Sequence, residues 1–170
     1  MTKLQWLNRI CVAVTAYSPE GQVIGTWGAT YPVFYEFDEY DRMSAMYTLR
    51  NTNVVVDSYS SFSFQPSAFD KTTWLYDEAT GLLTNKLYAD GKGTAYTYTP
   101  DGKLHTRTWA RGIVTSYAYT NTGEMVGIKY SDETPDIAFT YDRLGRQVTV
   151  NDAQGARTFI YDSSTLTLTN

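Results

Sequence analysis

The 170-residue sequence holds one cysteine, Cys11, and one histidine, His105. A single thiol rules out an internal disulfide, and Cys11 among Ile10, Val12 and Val14 reads as a small packed hydrophobe. One imidazole, with no Gly-x-Ser-x-Gly elbow and no recurring Cys/His spacing, supplies neither a catalytic triad nor a zinc tetrad. His105 therefore reads as an ordinary strand residue, and no catalytic, cofactor-binding or metal-binding residue is assigned. Basic residues are few: 14 Lys and Arg against 18 Asp and Glu give a formal charge of -4. They do not cluster, which excludes the basic face of a nucleic-acid binder. No apolar run approaches the ~20 residues of a membrane span. Met1 to Ala16 lacks the basic, apolar and small-residue order of a secretion signal, so no targeting segment is read within the chain. Asn-x-Ser/Thr is missing as well, which removes N-glycosylation. Long helical periods are absent, disfavouring a bundle, a coiled coil or a doubly wound α/β fold.

What the chain has instead is 15 Tyr, 7 Phe, 4 Trp and 25 Thr, types that favour a pleated, half-buried surface. The aromatics are ordered. An aromatic-x-aromatic pair recurs as Trp74/Tyr76, Tyr96/Tyr98, Tyr117/Tyr119, Phe139/Tyr141 and Phe159/Tyr161, the second members stepping by 22, 21, 22 and 20 residues. Glycine follows four residues later in three units (Gly102, Gly123, Gly145), and Gly81 follows Tyr76 by five. The phase runs backwards through Tyr35/Phe37, with Asp41 in the glycine place, and through Tyr17 with Gly21. Residues 53–70 break the register and read as a degenerate or irregular insertion. The whole of 1–170 is expected to be one repeat domain, with divergent repeats over 1–52 and regular repeats over 71–170, the last one truncated.

Residues two apart project from one face of a strand, so each pair marks a strand. Thr-Pro-Asp-Gly (99–102), Asn-Thr-Gly (121–123) and Asp-Arg-Leu-Gly (142–145) are turns, in which the Asp or Asn accepts local backbone bonds. Second strands are expected at Lys103 to Ala110, Glu124 to Ser131 and Arg146 to Asn151. Asp90-Gly-Lys-Gly93, Ala110-Arg-Gly112, Asp132-Glu-Thr-Pro135 and Asp152-Ala-Gln-Gly155 close the units. The prediction is an all-β fold of tandem antiparallel hairpins, about 21 residues each, in an open, curved, spiralling sheet. Stacked aromatic pairs are expected to stabilise it by roughly 0.2–1 kcal/mol per cross-strand pair.

Other polar features have plainer readings. Glu36, Asp38, Glu39 and Asp41, and separately Asp132, Glu133 and Asp136, lack a calcium-loop spacing and read as turn and surface acids. The 90–94 run resembles a phosphate loop in composition only. Trp27 and Trp109 stand outside the repeating pair and are the candidates for ligand contact, against a reading in which they fill the second face of the sheet. The run Thr165-Leu-Thr-Leu-Thr169 is alternating and uncharged and is expected to form an edge strand open to self-association.

Phe139-Thr-Tyr-Asp-Arg-Leu-Gly-Arg146 resembles the YD-repeat of the Rhs family, shared with teneurins and the shell subunits of insecticidal toxin complexes. Tyr76-Asp77 with Gly81, and Tyr161-Asp162, match in part, and Phe37-Asp38 to Arg42 matches with Phe for Tyr and Asp for Gly. Tyr17-Ser18, Tyr98-Thr99 and Tyr119-Thr120 depart at the Asp position. The resemblance implies a β-shell that in full-length relatives encloses a C-terminal toxin or effector, secreted or at the cell surface, with carbohydrate as a candidate partner. The Asp-Pro-x-Gly-Leu type motif that ends such regions is absent. The chain is therefore expected to be a fragment or truncated relative, a structural scaffold without catalysis or cofactor. The alternative is a carbohydrate- or surface-partner-binding module using exposed aromatics.

Overall fold

The structure, a computed structural model, describes residues 12–50 and 68–169. Cys11, and all of the 53–70 insertion but its last three residues, lie outside them. The strands among the described residues are β1 (Ala13–Tyr17), β2 (Val23–Gly28), β3 (Val33–Phe37), β4 (Met43–Leu49), β5 (Phe69–Tyr76), β6 (Leu83–Leu87) and β7 (Gly93–Tyr98). They continue with β8 (Leu104–Thr108), β9 (Val114–Tyr119), β10 (Met125–Tyr130), β11 (Ile137–Tyr141), β12 (Gln147–Asp152) and β13 (Gly155–Thr158). All belong to one antiparallel sheet whose spatial order is the chain order, so the sheet is open. That order is what a tandem array of hairpins gives, since every connection but that between β4 and β5 is too short to skip a strand.

Backbone packing divides the chain into two units, Met1–Leu75 with Lys86–Lys92, and Tyr76–Asn85 with Gly93–Asn170. The first carries an apolar cluster of Trp27, Phe34, Ala45, Tyr47, Leu49, Ala68 and Phe69. Phe34 is fully buried. Its ring stacks on Trp27 at 5.8 Å and meets Phe69 edge-on at 5.7 Å, geometries each worth about 0.5–1.5 kcal/mol beyond area burial. Phe34 pairs with Gly25 in the ladder, and a Cβ on Gly25 would stand 2.5 Å from the Phe34 ring. Glycine is what lets this ring lie flat on the neighbouring strand.

In the second unit the two sheet faces differ in chemistry. One carries Tyr96, Tyr98, Arg107, Tyr117, Tyr119, Ile128, Phe139, Tyr141 and Val150. The other carries Thr97, Thr106, Ala118, Lys129, Thr140 and Thr149, and there Thr97 bonds Thr106 at 2.6 Å and Thr140 bonds Thr149 at 2.7 Å. In every aromatic pair the two rings are half-buried and the residue between them is exposed, as same-face projection requires. Much of the threonine thus populates the opposite face of the same strands, while Thr94 and Thr115 are buried on the aromatic face.

Three expectations need correction. β8 ends at Thr108 because the turn into β9 begins at Trp109, whose N–H closes it on the Ile113 carbonyl at 2.8 Å. The stretch 165–169 does not form an edge strand among the described residues. Leu166 sits at φ 59°, the Leu166 N–H returns to the Asp162 carbonyl, and only Leu168 pairs, with Tyr161. The last strand is β13, whose four residues are all exposed. Aromatic pairs also do not face each other directly: Tyr96 lies opposite Arg107, and Tyr117 opposite Ile128. Successive pairs are two strand spacings apart, about 9.5 Å.

Candidate functional site

Five turns that follow a second aromatic are built alike, and the turns at Tyr88 and Trp109 share their backbone bonds. The residue after the second aromatic (Ser18, Asp38, Thr99, Thr120, Asp142) donates its N–H to the carbonyl four residues on. Its own carbonyl accepts the N–H three residues on, from Gly21, Asp41, Gly102, Gly123 and Gly145. That last residue is left-handed each time, φ 60° at Asp41 and 75–103° at the glycines. The ladder shifts register at the second aromatic, between Glu36 and Phe37 or Thr97 and Tyr98 for example. This is a hairpin turn closed by a bulge. Asp41 fits because Asp tolerates the left-handed region better than most residues.

The side chain following the aromatic locks the turn. Asp142 Oδ1 accepts the N–H groups of Leu144 and Arg146, both 2.9 Å, and Oδ2 accepts Arg146 Nε at 2.7 Å. Asp38 repeats the set with Tyr40 and Arg42. Thr99 and Thr120 do the same with a hydroxyl, accepting the N–H groups of Lys103 at 3.0 Å and Glu124 at 3.1 Å. The absent Asp at those positions is therefore replaced in function. Hydrogen bonds from Arg146 hold the Asp142 carboxyl below its ordinary range. At Asp38, burial raises the carboxyl's pKa, but the bonds from Arg42 and Tyr40 outweigh it and the net shift is downward. Hydroxyl and backbone donors of Ser164 and Thr165 lower Asp162 likewise.

In four repeats the second aromatic fastens its repeat to the one before. Tyr98 Oη donates to the Leu83 carbonyl at 2.8 Å, Tyr119 to Leu104 at 2.9 Å, Tyr141 to Met125 at 2.7 Å and Tyr161 to Gln147 at 2.9 Å. Each acceptor is the first residue of the preceding strand, just past the preceding turn. Burial pushes the Tyr98 and Tyr119 hydroxyls above their ordinary pKa. Cations reinforce the junction, with Lys103 Nζ 5.9 Å from the Tyr119 ring centre and the Arg146 guanidinium 4.3 Å from that of Tyr161. Position in the repeat, counted from Tyr98 and Tyr141, is the signal that would have singled out Lys103 beside Arg146.

No family model matches the chain, and no curated protein matches it in sequence. Among solved structures it is similar to chains of TcdB2-TccC3 (17% identity, TM-score 0.40, over 89% of this chain and 10% of that one) and of TcdB2-TccC3-TEV (17%, 0.41, 87% and 9%). A chain of the Photorhabdus luminescens Tc holotoxin pore is similar at 18% identity, TM-score 0.40, over 87% and 9%. The chain spans about a tenth of the length of these solved chains. The Tyr141 unit has Tyr-Asp, a left-handed fourth residue and a following Arg clamped to the Asp, and the Phe37 unit repeats this with Phe for Tyr. The chain resembles the Rhs, or YD-repeat, family.

Within this YD-repeat frame, the other candidates fall as follows. His105 is an exposed residue of β8. Trp27 is only 6% exposed, and its packing on Phe34 uses the face a ligand would need. Trp109 is 37% exposed, and its Nε1–H donates to Thr115 Oγ1 at 3.0 Å. Asp132 accepts the Thr134 N–H and Asp136 the Tyr130 N–H, as turn acids do. Two open grooves lie at the same place in the repeat. One of about 530 Å³ is lined in part by Glu20, Tyr35, Phe37 and Asp41, and one of about 340 Å³ by Thr80, Tyr96, Tyr98 and Gly102.

Proposed function

We propose that the chain is a structural repeat scaffold, one stretch of a larger β-shell, with no catalysis of its own. The single observation that carries this is the tyrosine bond that joins each of the four repeats ending at Tyr98, Tyr119, Tyr141 and Tyr161 to the one before. Such a module completes its hydrogen bonding only against a neighbour, which is the logic of an array that grows by addition. The polar groups agree, since Asp38, Asp142 and Asp162 are consumed by their own turns and His105 stands alone on a strand. In the reading taken from the family likeness, the shell encloses a C-terminal toxin or effector and is secreted or surface-displayed, and further repeats or a second copy pair on the open edges at β1 and β13. Limited proteolysis of the natural full-length polypeptide tests it: the enclosed segment should resist protease until the repeats melt. Cleavage of that segment at the rate of the isolated segment, with the repeats intact, would rule the shell out. The second reading, a ligand-binding module, is favoured by the exposure of Trp109.

A further inference from the structure

Arg107 occupies a slot that is apolar in three other hairpins, while in the β5–β6 hairpin another cation, Lys86, stands over the first aromatic, Trp74. Arg107 lies opposite the first aromatic of its hairpin, Tyr96. The equivalent places are Met46 opposite Tyr35 and Val150 opposite Phe139, and Ile128 opposite Tyr117. In those three hairpins the slot takes an aliphatic side chain, and Val150 is 8% exposed. The guanidinium lies 3.6 Å from the Trp109 ring centre, close enough to stack flat. Its Nε is buried and meets no acceptor, and no carboxylate or carbonyl among the described residues takes a hydrogen bond from its other nitrogens. Trp109 is itself held by its bond to Thr115, and Thr115 pairs with Arg107 across β8 and β9. The result is a fixed cation on a fixed aromatic plate, its Nε shielded and its two terminal nitrogens without a protein acceptor among the described residues.

We propose that Arg107 and Trp109 form a binding site for a carboxylate carried on a ring. The fork of an arginine matches a carboxylate in two parallel N–H···O bonds, and stacking on an indole pre-orients it so that little side-chain freedom is lost on binding. The partly exposed indole edge gives the ligand's ring an apolar surface beside the charge. The net charge of the chain is negative, so selection for an anion must come from this local pair and not from the overall field. The site goes beyond the scaffold reading and does not rest on it, since melting reports on one and ligand titration on the other.

The test is titration of the whole chain, followed by the Trp109 indole N–H signal in ¹H–¹⁵N spectra and by calorimetry. The probes are benzoate and glucuronate, which carry the charge on an aromatic or a sugar ring. Acetate lacks the ring, and benzyl alcohol and glucose lack the charge. At least one ring carboxylate should shift the Trp109 signal and bind about tenfold more tightly than acetate or its uncharged partner, and the benzoate and glucuronate arms separate the two ring types. R107I places in this slot the residue that another repeat carries at Ile128, so it should fold and melt like the parent while losing the binding. Equal response to charged and uncharged probes, no response to either ring carboxylate, or binding unchanged in a folded R107I would overturn the site. Stronger binding of a linear glutamate-containing peptide than of either ring acid would overturn the ring requirement.

Discussion

Replacing the second tyrosine of a pair by phenylalanine isolates the bond between repeats. Tyr98→Phe, Tyr119→Phe and Tyr141→Phe keep the ring and remove a hydroxyl that donates to Leu83, Leu104 and Met125 at 2.7–2.9 Å. A protein hydrogen bond of this kind contributes about 0.5–1.5 kcal/mol net, so each variant should lose about 1 kcal/mol. The sites recur every second strand, about 9.5 Å apart, which is far enough for near-additivity. The triple variant should therefore lose roughly 3 kcal/mol, a large part of the 5–15 kcal/mol that holds an ordinary domain. Tyr96→Phe and Tyr117→Phe are matched controls on the same strands, because their hydroxyls make no hydrogen bond among the described residues. They should stay within about 0.5 kcal/mol of the parent. Urea titrations followed by circular dichroism give the differences, and melting should fall by roughly 2–4 °C per kcal/mol lost. Equal losses in the two sets would refute the inter-repeat bond and return the stability to the rings. Phe variants at 98, 119 and 141 that melt like the parent would show that the carbonyls are as well served by water.

Other outcomes follow from local geometry. Leu166 holds a left-handed turn position at φ 59° while 53% exposed, a conformation that costs a non-glycine residue about 1–2 kcal/mol. Leu166→Gly should therefore raise stability by about 0.5–1 kcal/mol in urea titration, after the entropy of the freer unfolded chain is subtracted; a loss instead would mean the side chain packs. Gly25→Ala drives a methyl into the fully buried Phe34 and should cost about 1–3 kcal/mol or prevent folding, read by the same titration. The carboxyls of Asp38, Asp142 and Asp162 are held below their ordinary range, and that of Asp101 is lowered to about 2 by the Lys103 ammonium and the Thr99 hydroxyl. A lowered carboxyl stabilises the fold above its unfolded value and loses that contribution as pH falls through its folded value. Melting temperature should thus be level above about pH 5 and fall between roughly pH 4 and 2, with a shallower fall in Asp142→Asn; a pH-independent melting temperature over that range would contradict it.

The repeat was readable because its determinants are local. Tyr96 and Tyr98 share a strand face by backbone geometry alone, and Gly102, Gly123 and Gly145 mark a backbone conformation that few residues accept. Asp41 was readable for the same reason, as an acid tolerated in a glycine place. What lay beyond the sequence was decided by partners across strands. Thr99 and Thr120 look like departures from Tyr-Asp until the N–H groups of Lys103 and Glu124 are seen to need only an oxygen at the right distance. Trp27 and Trp109 are equally aromatic in sequence, yet Trp27 is closed over by Phe34 while Trp109 meets Arg107. The 165–169 alternation satisfied a strand pattern, but Asp162 captures the N–H groups of Ser164 and Thr165 at 2.8 and 2.7 Å and bends the chain first.

The two kinds of variation in the array point to different constraints. At the turn, Asp, Ser and Thr interchange, because the locking bond asks for one acceptor oxygen and nothing more. At the second aromatic, the four repeats ending at Tyr98, Tyr119, Tyr141 and Tyr161 keep the hydroxyl, because its partner is a carbonyl of another repeat and no smaller side chain reaches it. Phe37 is the described exception, and it belongs to the unit that has a buried aromatic cluster of its own around Phe34. The paired rings of that unit are half-buried like those of the other repeats, so it draws its added stability from the opposite strand face, where Phe34 lies, while the 93–161 repeats draw theirs from the bonds between neighbours. The stability of the 93–161 region should therefore reside in its junctions more than in any one hairpin.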